Sequence, residues 1–266
     1  MPIVSIVKGA LQIVLLLYLF ALVLLYFKQE SLLFYPTQLS KTYSYHFPIR
    51  FEEKNIEVAA GIFLNALLFK AEKSKGIVLY FHGNGGAIHE WGSGAALFTQ
   101  NGYDVLYVDY RGYGKSGGSI QNETQLIQDG QVVYDYARSL YPEDQIILSG
   151  TSMGTGIAAK LAARNTPKKL LLHAPYYSLK SLVREKVKIV PGFMLKYPFT
   201  THIALSNPTF PIVIFHGDQD QVIPVEHAQK LKARHPKVEL HILKRRGHND
   251  VESSPEYVKI MQEVLQ

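Results

Sequence analysis

Cysteine is absent from all 266 residues. That excludes disulfides, thiolate metal sites, a lipoprotein attachment box and a cysteine nucleophile, while leaving the redox compartment open. Other metal-ligand spacings are missing too, H-E-x-x-H among them. Phosphate-binding patterns fail on spacing. Gly114-Lys115-Ser116 resembles the end of a phosphate loop, but the glycine needed five positions earlier is Asp109. Gly83-Asn84-Gly85 opens like a dinucleotide fingerprint, but its third glycine position is Ile88. There is no internal repeat and no low-complexity segment. Charged residues make up only 19% of the chain against 47% apolar, the balance of a globular protein rather than a disordered one.

The net charge of +6 is concentrated. Between Lys168 and Phe210 lie Lys168, Lys169, Lys180, Arg184, Lys186, Lys188 and Lys196 against Glu185 alone, so this stretch accounts for the whole excess. It reads either as a solvated basic face or as a surface for anionic head groups or an anionic substrate. No recognition motif accompanies the charge, so nucleic acid is not an expected partner.

Leu11 to Phe27 contains neither charge nor proline. At about 1.5 Å per residue it spans roughly 26 Å as a helix, near the lower limit for crossing a bilayer. Lys8 and Lys28 bracket it, with Tyr26 at the expected interface. The run is longer than a signal-peptide core, and Tyr26-Phe27-Lys28-Gln29-Glu30 offers no small-x-small cleavage site. An uncleaved single-pass anchor is expected. Lys8 with the amino terminus on one side, against Lys28 offset by Glu30 on the other, favours the N-terminus inside and the large domain on the non-cytoplasmic side. The expected organisation is an anchor over 1–30, a juxtamembrane linker over 31–49 acting as a short tether, and one domain over 50–266.

Beyond Arg50, apolar runs of strand length alternate with helical patterns. Strands are predicted over Gly61–Lys70, Gly76–Phe81, Asp104–Asp109, Gln145–Ser149, Lys169–His173, Pro211–His216 and Val238–Leu243. Helices are predicted over Trp91–Asn101, Glu123–Ser139, Met153–Arg164, Val225–Arg234 and Pro255–Leu265. Near-continuous aliphatic runs such as IVLYF and IVIF suit parallel strands buried on both faces. The alternation predicts an α/β fold, a mostly parallel sheet covered by helices. Residues 175–210 break the rhythm with several prolines and are predicted to form a short lid of one or two helices.

Gly150-Thr151-Ser152-Met153-Gly154 follows an aliphatic strand and leads into a helix rich in small residues. A sharp strand-to-helix turn needs small residues two before and two after the serine, because bulk there would strike neighbouring backbone. Such a turn lifts the Ser152 hydroxyl above the sheet edge, beside the positive end of the helix dipole. A serine hydroxyl needs a base, and His248, just after the last predicted strand, is the candidate. The orienting acid should come from the loop after the preceding strand, where Asp220 is preferred. Asp218 is read as stabilising that loop and Asp250 as capping the last helix region. His82 and His216, which end strands as His-Gly pairs, are expected to bond to backbone. Two N–H donors are needed for an oxyanion: Met153 after the nucleophile, and Asn84 in the glycine-rich loop His82–Gly86.

HGNGG (82–86), DYRGYGKSGG (109–118), GTSMG (150–154), HGDQDQVIP (216–224) and RGHND (246–250) occur in this order. The set resembles the α/β-hydrolase superfamily, and most of all the membrane-anchored α/β-hydrolase-domain serine hydrolases, a group that includes lysophospholipid lipases and protein depalmitoylases. SLLFYPTQ (31–38) resembles that group's juxtamembrane segment. The resemblance implies an eight-stranded sheet, the triad Ser152, Asp220 and His248, and cleavage of esters or thioesters without a cofactor. Membrane lipids and acylated proteins are both open as substrates, because lids vary with substrate. Two rival readings remain: an amidase or peptidase using the same triad, and an inactive tethered binding protein on this scaffold.

Overall fold

Aliphatic runs that look continuous in sequence form the interior of one sheet. The computed structural model describes residues 2–266. Its main sheet has eight strands: β1 (Phe51–Ala59), β2 (Ile62–Phe69), β3 (Ile77–Phe81), β4 (Asp104–Val108), β5 (Ile146–Thr151), β6 (Lys169–His173), β7 (Ile212–Gly217) and β8 (Glu239–Leu243). They are ordered β8-β7-β6-β5-β3-β4-β2-β1. Only β2 runs against its neighbours. Every residue of β3, β4, β5 and β7 is buried, as parallel strands covered on both faces must be.

Alternate residues of each strand serve two apolar layers. Leu79, Leu106 and Leu148 pack with Leu126 of α3 (Glu123–Leu140), Ile157 of α4 (Met153–Ala162) and Leu231 of α6 (Glu226–Arg234). Tyr80, Tyr107, Ile147 and Phe215 pack with Phe98 of α2 (Ala95–Gln100) and with Tyr257 and Met261 of α7 (Pro255–Val264). Caps stop these helices from fraying: Asn122 accepts from the Gln125 N–H at 2.8 Å, and Ser254 caps α7.

Sequence and structure part in three places. Strand β1 was not anticipated: Glu52, Glu53, Lys54 and Glu57 hide its alternation, and as the sheet's edge it needs one apolar face only. The helix expected from Trp91 begins at Ala95, after the turn Ile88–Trp91 and a 3₁₀ turn Gly92–Gly94. A Cβ at Gly92 would lie 2.6 Å from the Phe47 ring, so the glycines let this segment press against the sheet at the cost of regular helix. Finally, the segment read as a tether is docked. Helix α1 (Pro2–Leu33) runs on past Lys28, Tyr35–Pro36 pairs with Gly85–Gly86, and Phe34 and Tyr45 are buried.

The segment 175–210, expected as a lid, contains α5 (Leu179–Lys186), a 3₁₀ turn Gly192–Met194 and a short helix Thr201–Ala204. It is fastened to the body by the Phe199 N–H, which donates to buried Glu123 at 2.7 Å.

The neighbours of β3 are β4 on one side and β5 on the other, so chain order reverses there. The crevice beyond their C-terminal ends is where open α/β sheets bind ligands. Leu148 lies in the middle of β5 with no exposed surface. Leu148→Ala should cost about 2–5 kcal/mol through the cavity it leaves, measured by urea denaturation.

Candidate active site

The C-terminal ends of β3, β5, β7 and β8 carry the side chains singled out in the sequence. Ser152 follows β5 and precedes α4, with φ 53° and ψ −116°. This sparsely populated conformation costs on the order of 1–3 kcal/mol and persists only where the surroundings enforce it. Here they do. The Ser152 N–H donates to the His173 carbonyl at 2.9 Å. A Cβ on Gly150 would lie 2.5 Å from the Gly154 carbonyl oxygen, and one on Gly154 would lie 2.0 Å from that of Phe81. The two flanking glycines are thus a steric requirement of β5, α4 and β3 meeting backbone to backbone.

Ser152, His248 and Asp220 come together from three separate segments. The Asp220 carboxylate accepts from His248 Nδ1 at 2.7 Å, which leaves Nε2 free to accept from the Ser152 hydroxyl at 2.9 Å. The other Asp220 oxygen accepts from the Val222 and Ile223 N–H groups, each at 2.8 Å. Burial raises the Asp220 pKa, but hydrogen bonds from His216 and His248 and the Ile223 N–H outweigh it, holding the group well below the usual carboxylate range. A serine–imidazole–carboxylate line of this geometry can pass a hydroxyl proton to the imidazole and steady the cation that forms.

The competing acids do other work. Asp218 accepts from the Arg245 N–H at 2.6 Å, holding the loops after β7 and β8 together as expected. Asp250 accepts from the Gly247 N–H at 2.6 Å and so closes the turn carrying His248; the cap of α7 is Ser254, which corrects the expected role. His82 and His216 bond to the Gly83 and Ile223 carbonyls at 2.7 and 2.8 Å, as read from their positions.

Asn84 and Met153 both border the space at Ser152, and the backbone N–H of neither donates to any group among the described residues. The Asn84 carbonyl accepts from the Tyr35 N–H and the Tyr113 hydroxyl, and its side-chain amide donates to the Leu33 carbonyl at 2.9 Å. That last bond satisfies an otherwise open carbonyl in the final turn of α1.

Two cavities meet at Ser152 and Asn84. One, of about 110 Å³, is apolar and lined by Leu33, Phe34, Tyr176, Leu182, Phe199 and Ile223. The other, of about 480 Å³, is of mixed character, more polar than the first, and bordered by Glu90, Trp91, His248 and Glu252. Glu252 was missed in the sequence. It accepts from the Tyr80 and Thr151 hydroxyls, each at 3.0 Å, and only its closeness to His248 in sequence hinted at a place here.

A family model described as serine aminopeptidase, S33, matches residues 72–204, half of the chain. The chain belongs to this family of α/β-hydrolases. It is 30% identical over 197 residues to alpha/beta hydrolase domain-containing protein 17C of Xenopus tropicalis, covering 72% of this chain and 62% of that one. To the lysophosphatidylserine lipase ABHD12 of the same frog it is 28% identical over 180 residues, covering 58% and 45%. This α/β-hydrolase thus spans less than two thirds of the length of these curated relatives. The Pyrococcus furiosus esterase Pf2001 shares its fold, with a TM-score of 0.67 at 19% identity over 88% of this chain and 97% of that one.

Two outcomes test the geometry. Gly154→Ala should destabilise the α/β-hydrolase by the upper part of the ~1–3 kcal/mol typical of overpacking and shift the Ser152 turn. Thermal melts and the rate of reaction with an active-site serine reagent would measure both. Because the folded pKa of Asp220 is depressed, its contribution to stability is complete above its unfolded value, about 3.9, and is lost as pH falls below that. The stability gap between wild type and Asp220→Asn should therefore be full at pH 7 and shrink by pH 3 in urea titrations.

Proposed function

We propose that this α/β-hydrolase is a membrane-anchored serine hydrolase that cleaves carboxylic esters or thioesters of long-chain acyl groups. The observation that carries the reading is the 2.9 Å and 2.7 Å line from the Ser152 hydroxyl through His248 to Asp220.

Ser152 Oγ attacks the acyl carbonyl while His248 Nε2 takes its proton. Asp220 holds the Nδ1–H tautomer and steadies the imidazolium. The Asn84 and Met153 amides receive the negative charge that develops on the carbonyl oxygen. His248 then gives its proton to the departing alcohol or thiol, leaving an acyl-enzyme. A water deprotonated by the same histidine releases the acid and regenerates Ser152. No step calls for a cofactor.

Substrate class rests on the surroundings. An apolar cavity on one side of Ser152 suits an acyl chain, and a roomier, more polar one on the other, bordered by Glu90 and Glu252, leaves space for the leaving group. A relative named as a lysophosphatidylserine lipase supports a lipid ester, and an acylated protein would present the same bond. α1 is long and apolar enough to cross a membrane, and the charge bias around it favours a catalytic domain on the non-cytoplasmic side. The family model's description as a serine aminopeptidase favours a second reading, cleavage of amides by the same groups.

Ser152→Ala should abolish labelling by a fluorophosphonate probe and lower kcat by about 10⁴-fold or more; labelling that persists removes Ser152 from the role. Paired ester and amide substrates of the same acyl group separate the two readings. Strict preference for acetyl or butyryl esters would defeat the long-chain assignment.

A further inference from the structure

Tyr18, Leu22, Leu25, Gln29 and Leu33 recur three or four residues apart and therefore share one face of α1. Leu22 and Gln29 are buried, although only 6% of the most apolar window of this helix is buried. The lid is what covers them. The Tyr18 hydroxyl donates to the Ile189 carbonyl at 2.8 Å. Gln29 is held from both ends: its side-chain N–H donates to the Met194 carbonyl at 2.8 Å, and its oxygen accepts from the Lys196 N–H at 2.9 Å. Lys196 and Tyr197 also reach Glu30, at 3.1 and 2.9 Å. A helix that served only as a tether would need none of these contacts.

Helix and lid do not close completely on each other. An apolar crevice of about 250 Å³ remains, walled by Leu25 and Leu32 of α1 and by Val183, Val187 and Val190 of the lid. Leu33 borders both this crevice and the apolar cavity at Ser152. The two spaces adjoin at that one side chain, and together they lead from the nucleophile along the flank of α1.

We propose that the substrate's acyl chain occupies this crevice, entering sideways from the bilayer, so that α1 forms one wall of the acyl site. The proposal rests on the serine hydrolase reading above and deepens it. The occupant follows from where the crevice leads. Leu22, Leu25 and Tyr26 line it and belong to the uncharged run suited to hydrocarbon, so its far end opens beside lipid tails rather than water. Phe193 and Ile189 are 86% and 69% exposed on the lid next to α1, a surface costly in water and favourable in lipid. The lid's cations suit this placement. Lys186 turns back to the Gln221 carbonyl at 3.0 Å, and Lys196 lies over the Tyr26 ring beside Glu30, at the charged end of the run. A chain of few carbons would fill the cavity at Ser152 alone; a longer one must pass Leu33.

Leu25→Trp and Val190→Trp narrow the crevice without touching the cavity at Ser152. The full-length protein in phosphatidylcholine vesicles should be assayed on p-nitrophenyl butyrate and palmitate. In both variants the palmitate-to-butyrate ratio of kcat/KM should fall about tenfold or more, the equivalent of losing a few buried methylenes. Because the ratio is read, any loss of folded protein cancels, and an unchanged ratio in both variants overturns the proposal. A palmitoyl fluorophosphonate bearing a terminal diazirine gives a second test. Once attached to Ser152, it should photolabel residues 18–33 or 183–195; labelling confined to the larger cavity around Trp91 and Glu252 overturns it. Failure of that probe to attach at Ser152 would instead count against the triad reading, so the two can fail separately.

Discussion

Three backbones meet at Gly154. The Phe81 carbonyl at the end of β3 sits where a Cβ at that position would be, and Gly150 is pressed as closely from the other side. This contact holds the turn between β5 and α4 tight enough to force Ser152 into a positive φ. It also sets the loop after β3, and with it Asn84, against the start of α4. Ser152 and both candidate oxyanion amides thus depend on one clearance that only glycine satisfies. The cost of the strained turn is spread over the buried strands beneath it, every residue of which is packed on both sides.

Charge in the candidate site is arranged around the hydrogen-bonded line from Ser152 through His248 to Asp220. Asp220 is fully engaged: two backbone N–H groups occupy one oxygen, and the imidazole of His248 bonds to the other. Those bonds keep the carboxylate ionised despite burial, which is the condition for orienting a neutral imidazole and then supporting its charged form. Asp218 and Asp250 do not compete, because each is committed to backbone in the loops that carry Asp220 and His248. The three aspartates of these two loops therefore divide into one that faces His248 and two that hold the scaffold.

The N-terminal helix and the hydrolase body are more closely joined than a linker would make them. Asn84 caps the last turn of α1 through its side chain and lines the same cavity as Ser152. Phe34, just past the helix, is buried in the same core as Met153 and Tyr176. The N-terminal helix and the geometry at Ser152 are consequently coupled through residues 29–36, and the segment 175–210 is hung from the same stretch through Gln29 and Glu30.

Much of this was determined by sequence alone, and the reason is local. Aliphatic runs buried on both faces, a glycine-flanked serine between strand and helix, and an uncharged run bounded by lysines each express a constraint that adjacent residues impose on one another. Ser152, Asp220 and His248 could be nominated because each had to follow a strand at the same edge of the sheet. What only tertiary structure decided depends on residues far apart in the chain. The edge strand β1 shows no clear pattern until β2 pairs along one side of it and α3 packs against one face. Glu252 acquires a place in the site through Tyr80 and Thr151, 172 and 101 residues away. The face of α1 that meets the lid is written in leucines indistinguishable from those facing outward, since a hydrophobic helix reads the same whether its neighbour is lipid or protein. Which of those leucines touch the lid was settled by packing between segments more than 150 residues apart.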